Sequence, residues 1–156
     1  MRSTNTLLIV AGLLLLGGGA YAVYTMTRGL RNNNPGNIRA DGTAWEGLAT
    51  PSSDGTFFVF TDPTYGIRAM GRILTNYVGA DGVTPSVTGI ISRWAPPSEN
   101  DTASYIADVA YQLGIDPNAT FDLPSVLPAL TAAIISHENG LNPYDPSVIA
   151  QGLALA

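Results

Sequence analysis

From Ser3 to Thr27 the chain carries no charge, and its middle reads LLIVAGLLLLGGGAYAVY. An apolar run of this length matches a helix crossing the ~30 Å hydrocarbon layer of a bilayer, and Arg2 on one side with Arg28 and Arg31 on the other flank it. Residues 1–27 are therefore expected to form a transmembrane helix that anchors whatever follows, with the lipid membrane as a partner. Tyr21 and Tyr24 fall where interfacial aromatics sit. Ala20-Tyr21-Ala22 also fits a signal-peptide cleavage pattern, but the run is long for such a core and continues through Val23 and Tyr24, which favours an uncleaved anchor. Gly17-Gly18-Gly19 weakens a helix locally, although membrane helices tolerate glycine. Arginines at both ends leave the orientation open.

Residues 28–156 are long enough for one compact domain. Seven arginines, no lysine and twelve acids give a formal charge of -5, the wrong sign for neutralising nucleic-acid phosphates. No nucleic-acid partner is expected. The absence of cysteine removes disulfides, thiolate nucleophiles and thiolate metal sites, and a single histidine excludes a histidine-rich metal centre. Neither a metal nor a cofactor is expected.

The domain reads as mainly α with one short β-hairpin. RGLRNNNPGNIR, from Arg28 to Arg39, carries turn chemistry and is expected to be irregular throughout. Thr43–Leu48 and Thr56–Phe60 are aromatic and β-branched, with Pro51 to Gly55 as the loop between two strands. Four helices then announce themselves by their caps. Asp62-Pro63 opens one that buries Ile67, Met70, Leu74 and Tyr77, and Thr84-Pro85 opens one with Val87, Ile90, Ile91 and Trp94 inward. The capping stretch Ser98 to Asp101 opens a third, with Tyr105, Ile106, Val109 and Leu113 inward and Gly114 at its end. Asp122 caps the fourth, which carries Leu127, Leu130 and Ile134 and stops at Gly140. A tail helix is expected from Pro146 to Leu155.

Steps of four from Leu130 reach Ile134 and then Glu138, so this carboxylate shares the stripe that faces the core. The last turn of a helix is the negative end of its dipole, where a carboxylate is disfavoured, and semi-burial disfavours its charge as well. A glutamate that keeps its proton near neutral pH is what a general acid needs in order to protonate a glycosidic oxygen. The bland alternative is a side chain turned to solvent at a fraying terminus. Glu99, in WAPPSENDT, lies at a helix start whose dipole favours the ionised form, suiting it to act as a base, a cation stabiliser or simply a capping partner. Glu46 has no second feature in its favour. His137 is read as a last-turn complement to the dipole, without a catalytic role.

Asn32, Asn33, Asn34 and Asn37 are candidates for binding acetamido groups, and equally for satisfying the backbone of their own loop. Trp94 and Tyr144 are candidate substrate-binding residues, Trp94 by stacking on a sugar ring or, equally, as a core aromatic. Trp45, Phe60 and Tyr65 share that option, although aromatics at such spacings are core more often than platform. Arg68 and Arg72 read as a solvated face.

RGLRNNNPGNIR, Trp45-Glu46-Gly47, FVFTDPTYGIRA, IISRWAPPSENDTASYI and AIISHENGLNPY together resemble a family of small bacteriophage virion proteins described as structural or cell-wall-lytic, across nearly all of residues 28–156. Glu138-Asn139-Gly140-Leu141-Asn142-Pro143 is in turn similar to the Glu-Ser-Gly-x-Asn-Pro signature of lytic transglycosylases. In that family the glutamate closes an apolar helix and acts alone, first as acid and then as base. Carried over, Glu138 takes that role. Asn139 stands where serine is expected, and a lysozyme-like fold would need its parts in another chain order, because only eighteen residues follow the glutamate.

The resemblances imply a phage virion protein, located in the virion membrane or host envelope, whose 28–156 domain cleaves peptidoglycan glycan strands and meets other virion proteins. A non-catalytic virion component docked beneath the capsid, or a glycan-binding module, are the competing expectations. A cleft bearing Glu138 together with Glu99 or Asp145 favours the enzyme, and a flat apolar surface favours the docking protein.

Overall fold

The computed structural model describes residues 14–15, 20–21 and 26–156. Within the apolar run, β1 (Leu14–Leu15) and β2 (Ala20–Tyr21) pair antiparallel, with Leu14 opposite Tyr21 and Leu15 opposite Ala20. This overturns the transmembrane helix expected over residues 1–27. Among the described residues no helix is long and apolar enough to cross a membrane, and the remainder of the run lies outside them. Hydropathy, length and the flanking arginines and tyrosines support such an expectation, and none of them reports backbone conformation. Glycine costs about 1 kcal/mol per residue in a helix relative to alanine, and Gly17, Gly18 and Gly19 fall between the two paired stretches.

The rest is mainly α with one short hairpin, as the periodicity predicts. A helical turn, α1 (Arg28–Arg31), is capped by Thr27, so the expected irregular segment begins only at Asn32. The hairpin joins β3 (Leu48–Ser53) to β4 (Phe58–Phe60), with Leu48 opposite Phe60 and Ser53 opposite Phe58. Its first strand lies later than the Thr43–Leu48 expected. Trp45 packs instead with Leu48, Tyr65, Phe58 and Phe60 in a small second core, and the chain turns at Gly47 in a left-handed conformation. Gly47 sits so close to Tyr65 that a Cβ there would come 2.0 Å from the ring. β3 has an exposed middle, which is where a sheet accommodates Pro51. Asp54 closes the turn by accepting the amides of Thr56 and Phe57.

Five helices form the body: α2 (Pro63–Gly79), α3 (Val87–Trp94), α4 (Thr102–Leu113), α5 (Leu123–Asn139) and α6 (Pro146–Ala154). Asp62, Asp101 and Asp122 cap α2, α4 and α5 through their side chains, and Gly114 and Gly140 end α4 and α5 in left-handed conformations. α3 starts at Ser86 rather than at Thr84-Pro85, because the Pro85 carbonyl is taken by the Phe121 amide at 2.9 Å. α2 packs against α5 and α6, and α4 bridges α3 and α5. Their apolar stripes meet in one core, with Ile67, Met70, Leu74, Ile90, Ile91, Val109, Leu130 and Ile134 fully buried.

Candidate functional site

The segment from Asn32 to Asp41 is held against the hairpin. Phe58 donates to the Ile38 carbonyl at 3.0 Å and Ala40 to the Thr56 carbonyl at 2.9 Å, so residues 38–40 lie along its edge. Asn34, fully buried, clamps this arrangement. Its amide nitrogen donates to the carbonyls of Ile38 and Phe58, and its Oδ1 accepts the Ile38 amide. Asn33 donates to the Phe60 carbonyl and Asn32 to Asp54. These three asparagines thus fasten their loop to the hairpin. Asn33 and Asn37 adopt left-handed backbone, with φ of 51° and 49°, which asparagine tolerates better than most side chains.

Between this segment and the 95–101 connection lies an open cleft of about 1220 Å³. Asn37, Ile38, Arg39 and Asp41 form one wall with Phe57, and Pro96 to Asp101 form the other. Trp94, Tyr77, Ile73 and Glu138 lie between them. Thr102 donates its hydroxyl to the Ala95 carbonyl at 2.5 Å and so closes the connection that carries Glu99.

Glu138 is half-buried at the end of α5. Its Oε2 accepts from Asn37 Nδ2 at 2.9 Å, and its Oε1 accepts from the Tyr105 hydroxyl at 2.9 Å and, more weakly, from Trp94 Nε1 at 3.4 Å. Three donors from three separate elements therefore converge on one carboxylate. Burial pushes the Tyr105 phenol well up, and the charge of Glu138 together with its hydrogen bond pushes the same way, so this hydroxyl remains a donor. The Asn37 Oδ1 is buried without a partner.

The residue after Glu138 fixes the floor. Asn139 is buried, its amide nitrogen donating to the carbonyls of Pro35 and Ile135 at 2.8 and 2.9 Å, while its Oδ1 accepts the Thr27 hydroxyl at 2.5 Å. It thereby joins the end of α5 to both α1 and the asparagine loop. Gly29 is required beside it, since a Cβ there would come 2.7 Å from Asn37 Oδ1 and 2.9 Å from Asn139 Oδ1.

Glu99 opens onto the same cleft, but exposed, with Arg39 Nη2 at 3.2 Å as its partner. Asp41 and Asp101 also line it, each held below the usual carboxylate range by hydrogen bonds, to Thr43 and to Ser104 respectively. Of the residues singled out in the sequence, Glu138, Glu99, Asn37 and Trp94 come together here. Asn32, Asn33 and Asn34 do not line the cleft and bond instead to the hairpin. Tyr144 packs against the main core away from the cleft, where burial pushes its phenol up. Asp145 precedes α6 and does not line the cleft. Trp45, Phe60 and Tyr65 belong to the second core, and Arg68 pairs with Glu46 at 3.1 Å. Among the described residues no cluster of potential metal ligands occurs.

Tyr105 and Asn139 escape a sequence reading. The signal for Tyr105 is its hydroxyl, since a buried tyrosine in an aliphatic stripe usually finds a polar partner. Asn139 reads as part of a helix stop and gives no such signal.

No protein-family model matches the chain. Over 155 residues it is 42% identical to Protein P5 of Pseudoalteromonas phage PM2, an alignment covering 97% of this chain and 96% of that protein. The similarity agrees with the phage kinship expected from NNNPGNIR and RWAPPSENDT.

Proposed function

This chain belongs to the family of Protein P5 of Pseudoalteromonas phage PM2, and from that premise we propose that it is a component of the phage particle that cleaves host peptidoglycan glycan strands during entry. The supporting observation is the placement of Glu138, a half-buried carboxylate held by donors from three elements at the floor of an open cleft. In this reading the domain of residues 28–156 binds the glycan along the cleft, with Trp94 beneath a sugar ring and Asn37 beside an acetamido group. Other virion proteins are its partners in the particle.

The chemistry follows the lytic-transglycosylase likeness of Glu138 to Pro143. Protonated Glu138 gives its proton to the glycosidic oxygen as the bond from the N-acetylmuramic acid anomeric carbon breaks. The carboxylate left behind takes the proton of that sugar's own 6-hydroxyl, whose oxygen closes onto the anomeric carbon. One carboxylate serves both steps, and neither a nucleophilic partner nor water enters. Asn37 suits this cycle. Its amide donates to the carboxylate form, and its unpartnered Oδ1, turned inward by rotation of the amide, accepts from the acid form. Glu99 stays at the rim, paired with Arg39.

A turbidity assay on purified peptidoglycan tests the reading. The parent chain is expected to lyse it, and Glu138→Gln to lower the rate about 10³-fold with melting temperature retained. Lysis that survives the substitution moves the role to Glu99. No lysis from the parent favours a second reading, a non-catalytic virion component, which rests on the same three bonds. They tie α5 to α3, α4 and the asparagine loop, as a purely structural carboxylate would.

A further inference from the structure

Two side chains of α4, Tyr105 and Asp108, stand one turn apart and face two neighbours in the last turn of α5, His137 and Glu138. Three contacts link this set in a row, from Glu138 through Tyr105 and His137 to Asp108. The Tyr105 hydroxyl donates to Glu138 Oε1 at 2.9 Å, His137 Nδ1 lies 2.6 Å from Asp108 Oδ2, and the two rings stack with centroids 3.6 Å apart at 21°. His137 and Asp108 do not line the cleft. They stand behind the residue that does.

A glutamate carboxylate turns easily about its last torsion, for which the preferences are broad. A donor therefore fixes its oxygens only if the donor is itself held. Burial in the core holds the Tyr105 ring on one side, and the His137 ring covers it on another. His137, in a final helical turn and 30% exposed, depends in its turn on Asp108 for its orientation.

We propose that the Asp108–His137 pair is a positioning device for Glu138, acting through the stacked ring of Tyr105. The proposal rests on the catalytic role given to Glu138 above. It differs from a simple helix-dipole role for His137, which needs neither Asp108 nor the stack. Tyr105, His137 and Asp108 are positioning residues, and Glu138 alone meets the sugar.

The test is steady-state lysis of soluble glycan fragments by the full chain, with thermal melts for every variant. Tyr105→Phe keeps the ring and removes the donor, and should lower kcat on the order of tenfold with KM within about twofold. Asp108→Ala should lower kcat about threefold, and Asp108→Asn, which still bonds the imidazole, should restore most of that loss. The double variant Tyr105→Phe/Asp108→Ala should be no slower than Tyr105→Phe alone, because the pair acts only through that hydroxyl. Additive losses overturn the proposal, as does an unchanged kcat in Asp108→Ala, while parent lysis and an inactive Glu138→Gln leave the catalytic reading standing. A parent without lysis overturns both.

Discussion

Two glutamates open onto one cleft, Glu138 at its floor and Glu99 in one wall, and nothing in their side-chain chemistry separates them. Glu138 ends a helix whose inner stripe is buried, and Asn37, Trp94 and Tyr105 reach it from elements distant in sequence. Glu99 lies in the short connection before α4 and meets one exposed arginine, with side-chain exposures of 67% for Arg39 and 58% for Glu99. Enclosure by convergent donors, rather than proximity to the cleft, distinguishes a carboxylate whose position is specified from one that swings in solvent. The largest expected effect tests this contrast directly. Glu138→Gln should remove about 10³-fold of lytic activity, whereas Glu99→Gln should change it less than threefold, measured side by side on peptidoglycan. Comparable losses from both would mean that the exposed wall takes part equally.

The second effect concerns what holds the two walls. Asn139→Ala leaves the carbonyls of Pro35 and Ile135 and the Thr27 hydroxyl without the partner they have now, in a site of about 1% exposure. A loss of about 2–3 kcal/mol in denaturant unfolding is expected, since buried groups left unpaired cost about 1–3 kcal/mol each and some regain water. Asn100→Ala, on the Glu99 side, removes one bond at 3.3 Å from an exposed side chain and should cost under about 0.5 kcal/mol. The contrast between the walls would fail if the two substitutions cost the same.

These differences also decide what a sequence reading can reach. The five body helices are legible because local signals agree with the core they build: Asp caps, glycine stops and a 3.6-residue apolar period are all short-range. Placing Glu138 on the inner stripe follows from the same period. The site around it is only partly legible, since Asn37, Tyr105 and Asn139 act through contacts more than thirty residues apart in sequence. Asn34 and Asn37 look alike in NNNPGNIR, yet one clamps the hairpin and the other meets Glu138. Left-handed backbone at Asn33 and Asn37 directs them differently. The membrane helix expected in the first 27 residues fails for the opposite reason. Hydropathy reports how apolar a stretch is, and Leu14–Leu15 pairing with Ala20–Tyr21 is equally apolar.

A smaller effect follows from how the asparagine loop is fastened. Asp54 accepts from Arg28 at 2.5 and 2.7 Å, from Asn32, and from two backbone amides, and the Arg28 guanidinium beside it holds its carboxyl well below the usual carboxylate range. A carboxyl depressed on folding stabilises the protein above its unfolded value of about 3.8, and that stability is lost as pH falls below it toward the folded value. Asp54→Asn should therefore lower the melting temperature at neutral pH. The gap to the parent should narrow as pH drops from about 4 downward, read from melts across that range. Its size should be a few degrees at most, because water reaches both partners and screens the pair. A constant gap would assign the effect to the turn geometry rather than to the charge.

The smallest effect closes the comparison. A double-mutant cycle on Arg39 and Glu99 should give a coupling within about 0–1 kcal/mol that shrinks in added salt, since both groups are more exposed than buried and the Debye length is about 8 Å at 0.15 M. The same cycle on Tyr105 and Glu138 should give about 1.5–3 kcal/mol, insensitive to salt, as a charge-assisted bond from a buried donor does. A salt-independent Arg39–Glu99 coupling above 1 kcal/mol would show that the exposed wall is held as firmly as the floor. Glu99 would then be a second fixed carboxylate facing Glu138, and an acid–base pair would replace the single-residue route.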